Sequence, residues 1–179
     1  MHSPPNPAAK VQPLYVLDSS RGLLSNQIHQ LARDRQGRLW LATPVGLARY
    51  DGNFVLSWDR ASGLGCNGLR TVAIGDADSI WIGTDLGFEL LDSNGNQLPS
   101  AASGTPSFGL CQQIVACGEV VWLGCAHGLV RLERISPKDG FRVSAHFDAG
   151  YIHSLICVGA NRVIAVSARE GLIESDGLT

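Results

Sequence analysis

Five histidines and sixteen acidic residues in 179 positions are the groups from which acid–base catalysis is built, and here they are dispersed. No Gly-x-Ser-x-Gly elbow, His-Glu-x-x-His pair or phosphate-cradling glycine loop gathers them. His127 with Asp85 would serve a lyase or hydrolase only if two separate elements brought them within hydrogen-bond reach. Asp92-Ser93-Asn94-Gly95-Asn96 opens like a calcium loop, yet Ala101 stands where the closing Glu belongs, so a hairpin turn is expected. The cysteines, Cys66, Cys111, Cys117, Cys125 and Cys157, contain no Cys-x-x-Cys pair; small buried thiols are expected rather than disulfides or a zinc cluster. No catalytic residue, metal ligand or cofactor is assigned.

The chemistry must therefore come from what positions the remaining polar groups. Apolar residues make up 45% and charged ones 17%, against a usual charged share of roughly 25%, which excludes disorder. The net charge of −2 lacks the basic face of a nucleic-acid binder. No apolar run approaches the roughly 18 residues of a membrane helix, and Met1-His2-Ser3-Pro4-Pro5-Asn6-Pro7 lacks a signal-peptide pattern, so no direct membrane insertion is expected.

The chain repeats. Trp40, Trp81 and Trp122 are each 41 residues apart and Ile164 follows at 42; Gly46, Gly87 and Gly128 share the spacing, with Gly171 after them. Ile28, Leu69, Leu110 and Ile152 each stand twelve places earlier. Segments such as Ile80-Trp81-Ile82-Gly83 are apolar on both alternating faces and need cover on both sides. A unit of 41 residues has little room for a crossover helix. Small sheets stacked face to face give the same cover, which predicts an all-β fold, a β-propeller of four four-stranded antiparallel blades. Asn26 to Arg33 alone would pass for an amphipathic helix, but its β-branched counterparts, such as Arg70-Thr71-Val72-Ala73-Ile74, predict an inner strand. Outer strands are predicted over 54–58, 97–101 and 141–147. The tryptophans, at mid-strand, are read as wedges between blades, and Thr43, Thr84, Cys125 and Ser167 as anchors of nearby turns.

The expected organisation is a disordered tail at 1–10 and one domain over 11–179, with blades at about 22–60, 63–103, 104–148 and 150–179. The last unit stops before an outer strand, while 11–18 precede the first unit with no inner strand of their own. That segment is expected to close the last blade, within a four-bladed ring or between two chains in a larger ring; a segment of a longer propeller is the third arrangement.

Gly22-Leu23-Leu24-Ser25-Asn26-Gln27-Ile28, then Asp34-Arg35-Gln36-Gly37-Arg38-Leu39-Trp40-Leu41-Ala42-Thr43 and Gly46-Leu47-Ala48-Arg49-Tyr50-Asp51-Gly52, closely resemble the two-component regulator propeller repeat. The likeness weakens in later units; the fourth has Ile164 for tryptophan and Ser167 for threonine. The resemblance implies a propeller sensor, the extracytoplasmic input part of bacterial two-component systems, that recognises polysaccharide fragments or other small ligands. Localisation then follows from context: periplasmic for a sensor segment, cytoplasmic for a complete chain.

In such a propeller, loops entering the inner strands share one face with those leaving the Trp strands. That face would present Asn26, Gln27, Asn67, Arg70, Asp85, Ser107, Phe108, His127, Tyr151, His153, Arg169 and Glu170. Planar amides, a guanidinium, carboxylates and rings suit sugar hydroxyls and ring faces, so the expectation is non-catalytic binding of a small polar ligand or oligosaccharide. The alternative is a protein-interaction scaffold, as a homodimer or among further blades.

Overall fold

The computed structural model describes residues 15–98, 108–136 and 140–176. Each repeat folds as an antiparallel meander. The first sheet holds β1 (Gln30–Arg33), β2 (Leu39–Thr43), β3 (Gly46–Tyr50) and β4 (Val55–Trp58) in that order. The second holds β5 (Leu69–Ile74), β6 (Ile80–Thr84) and β7 (Gly87–Leu91). The third holds β8 (Cys111–Cys117), β9 (Val120–Cys125), β10 (Gly128–Ser136) and β11 (Gly140–Phe147), and the fourth β12 (Ile152–Cys157), β13 (Val163–Ser167) and β14 (Gly171–Ser175). This is the expected all-β propeller architecture, with the sheets fanned in an arc that is not closed into a ring. Inner strands carry the stacking: β1 and β2 pack on β5, β5 and β6 on β8, and β8 and β9 on β12. Among the described residues no helix is long and apolar enough to cross a membrane.

Strands β6 and β9 are buried along their whole length, which a sheet achieves only when both faces are covered. Trp40, Trp81 and Trp122, each 0% exposed, supply much of that cover. Trp40 packs with Ala42 and Leu47 of its own sheet against Leu69, Val72 and Ile82 of the next. Trp81 packs against Ile114, Leu123 and Val130, and Trp122 against Leu155 and Ala165, so one surface recurs at three junctions. Edge contact with Phe141 at 4.6 Å adds to the packing of Trp81. The tryptophans are core wedges.

Two repeat glycines have a steric explanation. At Gly46 (φ +148°) a Cβ would lie 2.3 Å from the Trp58 carbonyl oxygen, and at Gly128 (φ +123°) 2.1 Å from that of Phe147, because the outer strand ends against them. Beside them Thr43 donates to the Gly46 carbonyl at 2.7 Å and Thr84 to that of Gly87 at 3.3 Å, while Ser167 donates to the Ala149 carbonyl at 2.5 Å. Cys125 stands apart: it faces Cys111 across β8 and β9, and the thiol–thiol hydrogen bond and burial together push the Cys111 pKa up.

The expectation of thiols alone is corrected by a Cys117–Cys157 disulfide with a Cα separation of 5.8 Å. The two residues are 40 apart, nearly one repeat, so stacking brings the ends of β8 and β12 together. Cys66, Cys111 and Cys125 are free.

Outer strands form over Val55–Trp58 and Gly140–Phe147. Of the strand predicted at 97–101, Gln97 bridges Leu91 and the part from 99 onward lies outside the described residues. Of the predicted closing segment, 11–14 lie outside the described residues. Residues 15–18 are in no strand, and Leu17 packs with Leu23, Leu41, Ala48 and Val55 on the first sheet, at the opposite end of the arc from the fourth.

Candidate ligand face

The side chains at the entrance to the inner strands fall into three groups. Asn26 and Asn67 are struts. Asn26 Oδ1 accepts from the Ser19 amide and Asn67 Oδ1 from the Arg60 amide, both at 2.7 Å, tying each inter-blade turn to the next inner strand. Phe108 is buried at 5% exposure, its ring edge-on to His146 at 5.1 Å, so it belongs to the core and not to the binding face. Ser107 lies outside the described residues.

A second group bridges neighbouring blades. The His29 Nδ1–H donates to the Leu69 carbonyl at 2.6 Å, which leaves Nε2 as acceptor for the Gln27 amide at 3.3 Å. Thr71 Oγ1 donates to Gln30 Oε1, and Gln113 Oε1 accepts from the Leu155 amide at 2.9 Å. Sequence reasoning passed over Gln30, Gln112 and Gln113. The available signal was that Gln30 and Gln113 hold one repeat position, opposite Ala42 and Gly124.

A third group is exposed and paired. Arg70 Nε–H donates to Asp85 Oδ1 at 2.6 Å, with both side chains near two-fifths exposed. Asp85 therefore has a guanidinium as its partner, and the His127–Asp85 pairing needed for acid–base catalysis is not the contact it makes. His127 gives its carbonyl to His146 Nε2 at 2.9 Å.

The densest grouping lies on the last two sheets. Tyr151 and His153 cross edge to face at 4.9 Å, and the Tyr151 hydroxyl donates to Gln112 Oε1 at 3.2 Å. The Ala168 amide donates to the Tyr151 carbonyl at 2.8 Å, placing the β13–β14 turn beside them. There Arg169 Nε–H donates to Glu170 at 2.8 Å, and Nη1 lies 3.3 Å from Asp148. The hydrogen bond that Arg169 donates to Glu170, more than the charge of Asp148, raises the Arg169 pKa above its usual value. The result is two aromatic rings, one guanidinium, two carboxylates and one amide on a single surface.

Asp92 accepts from the amides of Asn94 at 2.8 Å and Asn96 at 2.9 Å, the geometry of an Asx turn that uses up the oxygen a cation would need. Among the described residues no three His, Cys, Asp or Glu side chains gather as a metal site. At the other end of the inner strands a 350 Å³ cavity is lined by residues including Arg33, Asp34, Arg35, Gly75, Asp76 and Gly118. The Arg35 guanidinium lies 3.9 Å from the carboxylates of both Asp76 and Asp78.

Residues 22–44 match the model of the two component regulator propeller family. The extracellular domain of a putative hybrid two component system from B. thetaiotaomicron superposes with a TM-score of 0.70 at 19% identity, covering 89% of this chain and 24% of that one. The extracellular domain of a putative one component system from the same organism gives 0.62 at 21%, covering 80% and 20%. The WD40 β-propeller domain of Doa1 gives 0.62 at 13%, covering 82% and 49%. The chain thus spans a quarter or less of the two bacterial domains it resembles. No curated protein matches the sequence.

Proposed function

We propose that this chain, which carries a two component regulator propeller repeat, is a non-catalytic ligand-binding part of a sensory propeller and takes a small polar ligand or oligosaccharide on its loop face. The observation that carries the reading is the grouping of Tyr151, His153 and Arg169 with Asp148, Glu170 and Gln112. Rings offer stacking faces to a sugar, while a guanidinium flanked by carboxylates offers hydroxyl groups both donors and acceptors. The ion pairs hold these groups in place before a ligand arrives, which lowers the entropy lost on binding. The Cys117–Cys157 disulfide supports an oxidising, extracytoplasmic location.

The test is a thermal-shift screen over neutral oligosaccharides. A bound ligand at a hundredfold excess over its Kd stabilises the native state by about 2.7 kcal/mol. That shift is expected to vanish in Tyr151→Ala, and the ligand is expected to be recovered chemically unchanged. A shift that survives both Tyr151→Ala and Arg169→Ala, or cleavage of the ligand, refutes the proposal.

A further inference from the structure

The third sheet departs from the repeat at one cross-strand pair, and at both of its members together. In the second sheet Leu69 faces Thr84, and in the fourth Ile152 faces Ser167. In the third the same two places are held by Cys111 on β8 and Cys125 on β9. The Ala126 amide donates to the Leu110 carbonyl at 2.8 Å, so 110 and 126 form a hydrogen-bonded rung and the two cysteines the neighbouring rung without such bonds. At a rung of that kind the Cα atoms stand about 4.5 Å apart, inside the roughly 4.4–6.8 Å that a disulfide spans. The remaining free cysteine, Cys66, lies before β5 and on neither strand.

Both paired thiols are 0% exposed. They belong to the cluster that holds Trp81, Ile114 and Leu123. The second sheet closes over Cys111: a Cβ on Gly83 would lie 2.6 Å from the Cys111 carbonyl oxygen and 3.3 Å from its Sγ. The Cys117–Cys157 bond differs, because Cys157 is exposed. The thiol–thiol hydrogen bond, and burial after it, hold the Cys111 pKa above its usual value, so once folded the pair is not in the thiolate form that exchanges with disulfides. Its reaction belongs to the moments when the β8–β9 hairpin is paired and the second sheet is not yet closed over it.

We propose that Cys111 and Cys125 are a second redox site, which a small-molecule disulfide of the glutathione class oxidises to a cross-strand bond that the stacked sheets then shield. One cysteine, as thiolate, attacks a sulfur of the small disulfide, forming a mixed disulfide and expelling one thiol. The other attacks the protein sulfur of that mixed disulfide and expels the second. The pair loses two electrons and two protons, and the small disulfide leaves as two thiols. The oxidising setting that maintains Cys117–Cys157 serves this pair equally. The bond ties down the flanks of a bulge: the register shifts between Cys111 and Gln113, and Gln112 between them accepts from the Tyr151 hydroxyl. The inference does not depend on what the loop face binds.

Thiol counting on the whole 179-residue chain tests it. The chain is reduced and unfolded, refolded in a mixture of reduced and oxidised glutathione, quenched with acid, unfolded again and alkylated. Mass spectrometry is expected to find the alkyl group on Cys66 alone. Cys111→Ala, treated in the same way, is expected to carry it on Cys66 and Cys125, and Cys125→Ala on Cys66 and Cys111, with Cys117–Cys157 intact in both; either variant that folds fixes the pairing. A reductant applied to the folded, oxidised parent is expected to open Cys117–Cys157 and to leave Cys111–Cys125 closed until denaturant is added. Alkylation of Cys111 and Cys125 in the refolded parent, a Cys125 that stays blocked in Cys111→Ala, or equal opening of both bonds in the folded chain overturns the proposal.

Discussion

The junction between the third and fourth sheets and the outer face of the fourth sheet are made from the same repeat positions, and they differ in almost everything else. At the junction Trp122 is fully buried against Leu155 and Ala165, Gln113 accepts from the Leu155 amide, and Cys117 is bonded to Cys157. On the outer face Ile164 replaces tryptophan, and Ile156, Val166 and Leu172 are all exposed. A position in the repeat specifies which way a side chain points. What it is worth energetically depends on the sheet that covers it.

The strongest way to break this comparison is to remove the wedge. Trp122→Ala is expected to cost about 3–5 kcal/mol in denaturant unfolding, whereas Leu172→Ala should stay within about 0.5 kcal/mol. Equal costs would mean that the outer face is as consolidated as the junction. Next comes the covalent staple. Replacing both Cys117 and Cys157 by Ser should lower stability by about 2–4 kcal/mol, and a reductant should lower the melting temperature of the parent chain but not of the double variant.

A third prediction contrasts a buried polar anchor with the packed core. Burial tends to raise the Asp34 pKa, but hydrogen bonds from Trp40 Nε1 at 2.9 Å and Arg38 outweigh it, so the pKa lies below the usual carboxylate value. A carboxylate with a depressed folded pKa contributes stability that is present above its unfolded pKa, about 3.9, and is lost as pH falls through the folded one. Asp34→Asn should therefore cost about 1–3 kcal/mol at neutral pH, and the difference from the parent chain should shrink below about pH 4. A gap that stays constant with pH would refute this role. The smallest effect is expected on the loop face. Arg70→Met should change stability by less than about 1 kcal/mol, because its pairing with Asp85 is largely in water.

Much of the fold was legible in the period of the tryptophans and glycines. Trp40, Trp81 and Trp122 marked strands covered on both sides, and Gly46 and Gly128 marked the turns against which an outer strand ends. Less of the candidate face was legible. Asn26 and Asn67 are polar residues at loop positions, which reads equally well as ligand contact or as support, and the folded chain shows each accepting a backbone hydrogen bond, from Ser19 and Arg60. Phe108 looked like a stacking ring and is core, because it packs in the apolar cluster that includes Trp81, Cys111 and Val130. The disulfide escaped notice because its cysteines are remote in sequence, although their separation is nearly one repeat.

Local patterning was enough to place the strands, their alternation and the turn chemistry, since each depends on residues within one unit of about 41. Burial, the Cys117–Cys157 bond, the blade-to-blade bridges of Gln30 and Gln113, and the uncovered ends had to await the stacked sheets. The reason is physical: desolvation and cross-blade contact belong to pairs of surfaces, and no single repeat contains both members of such a pair.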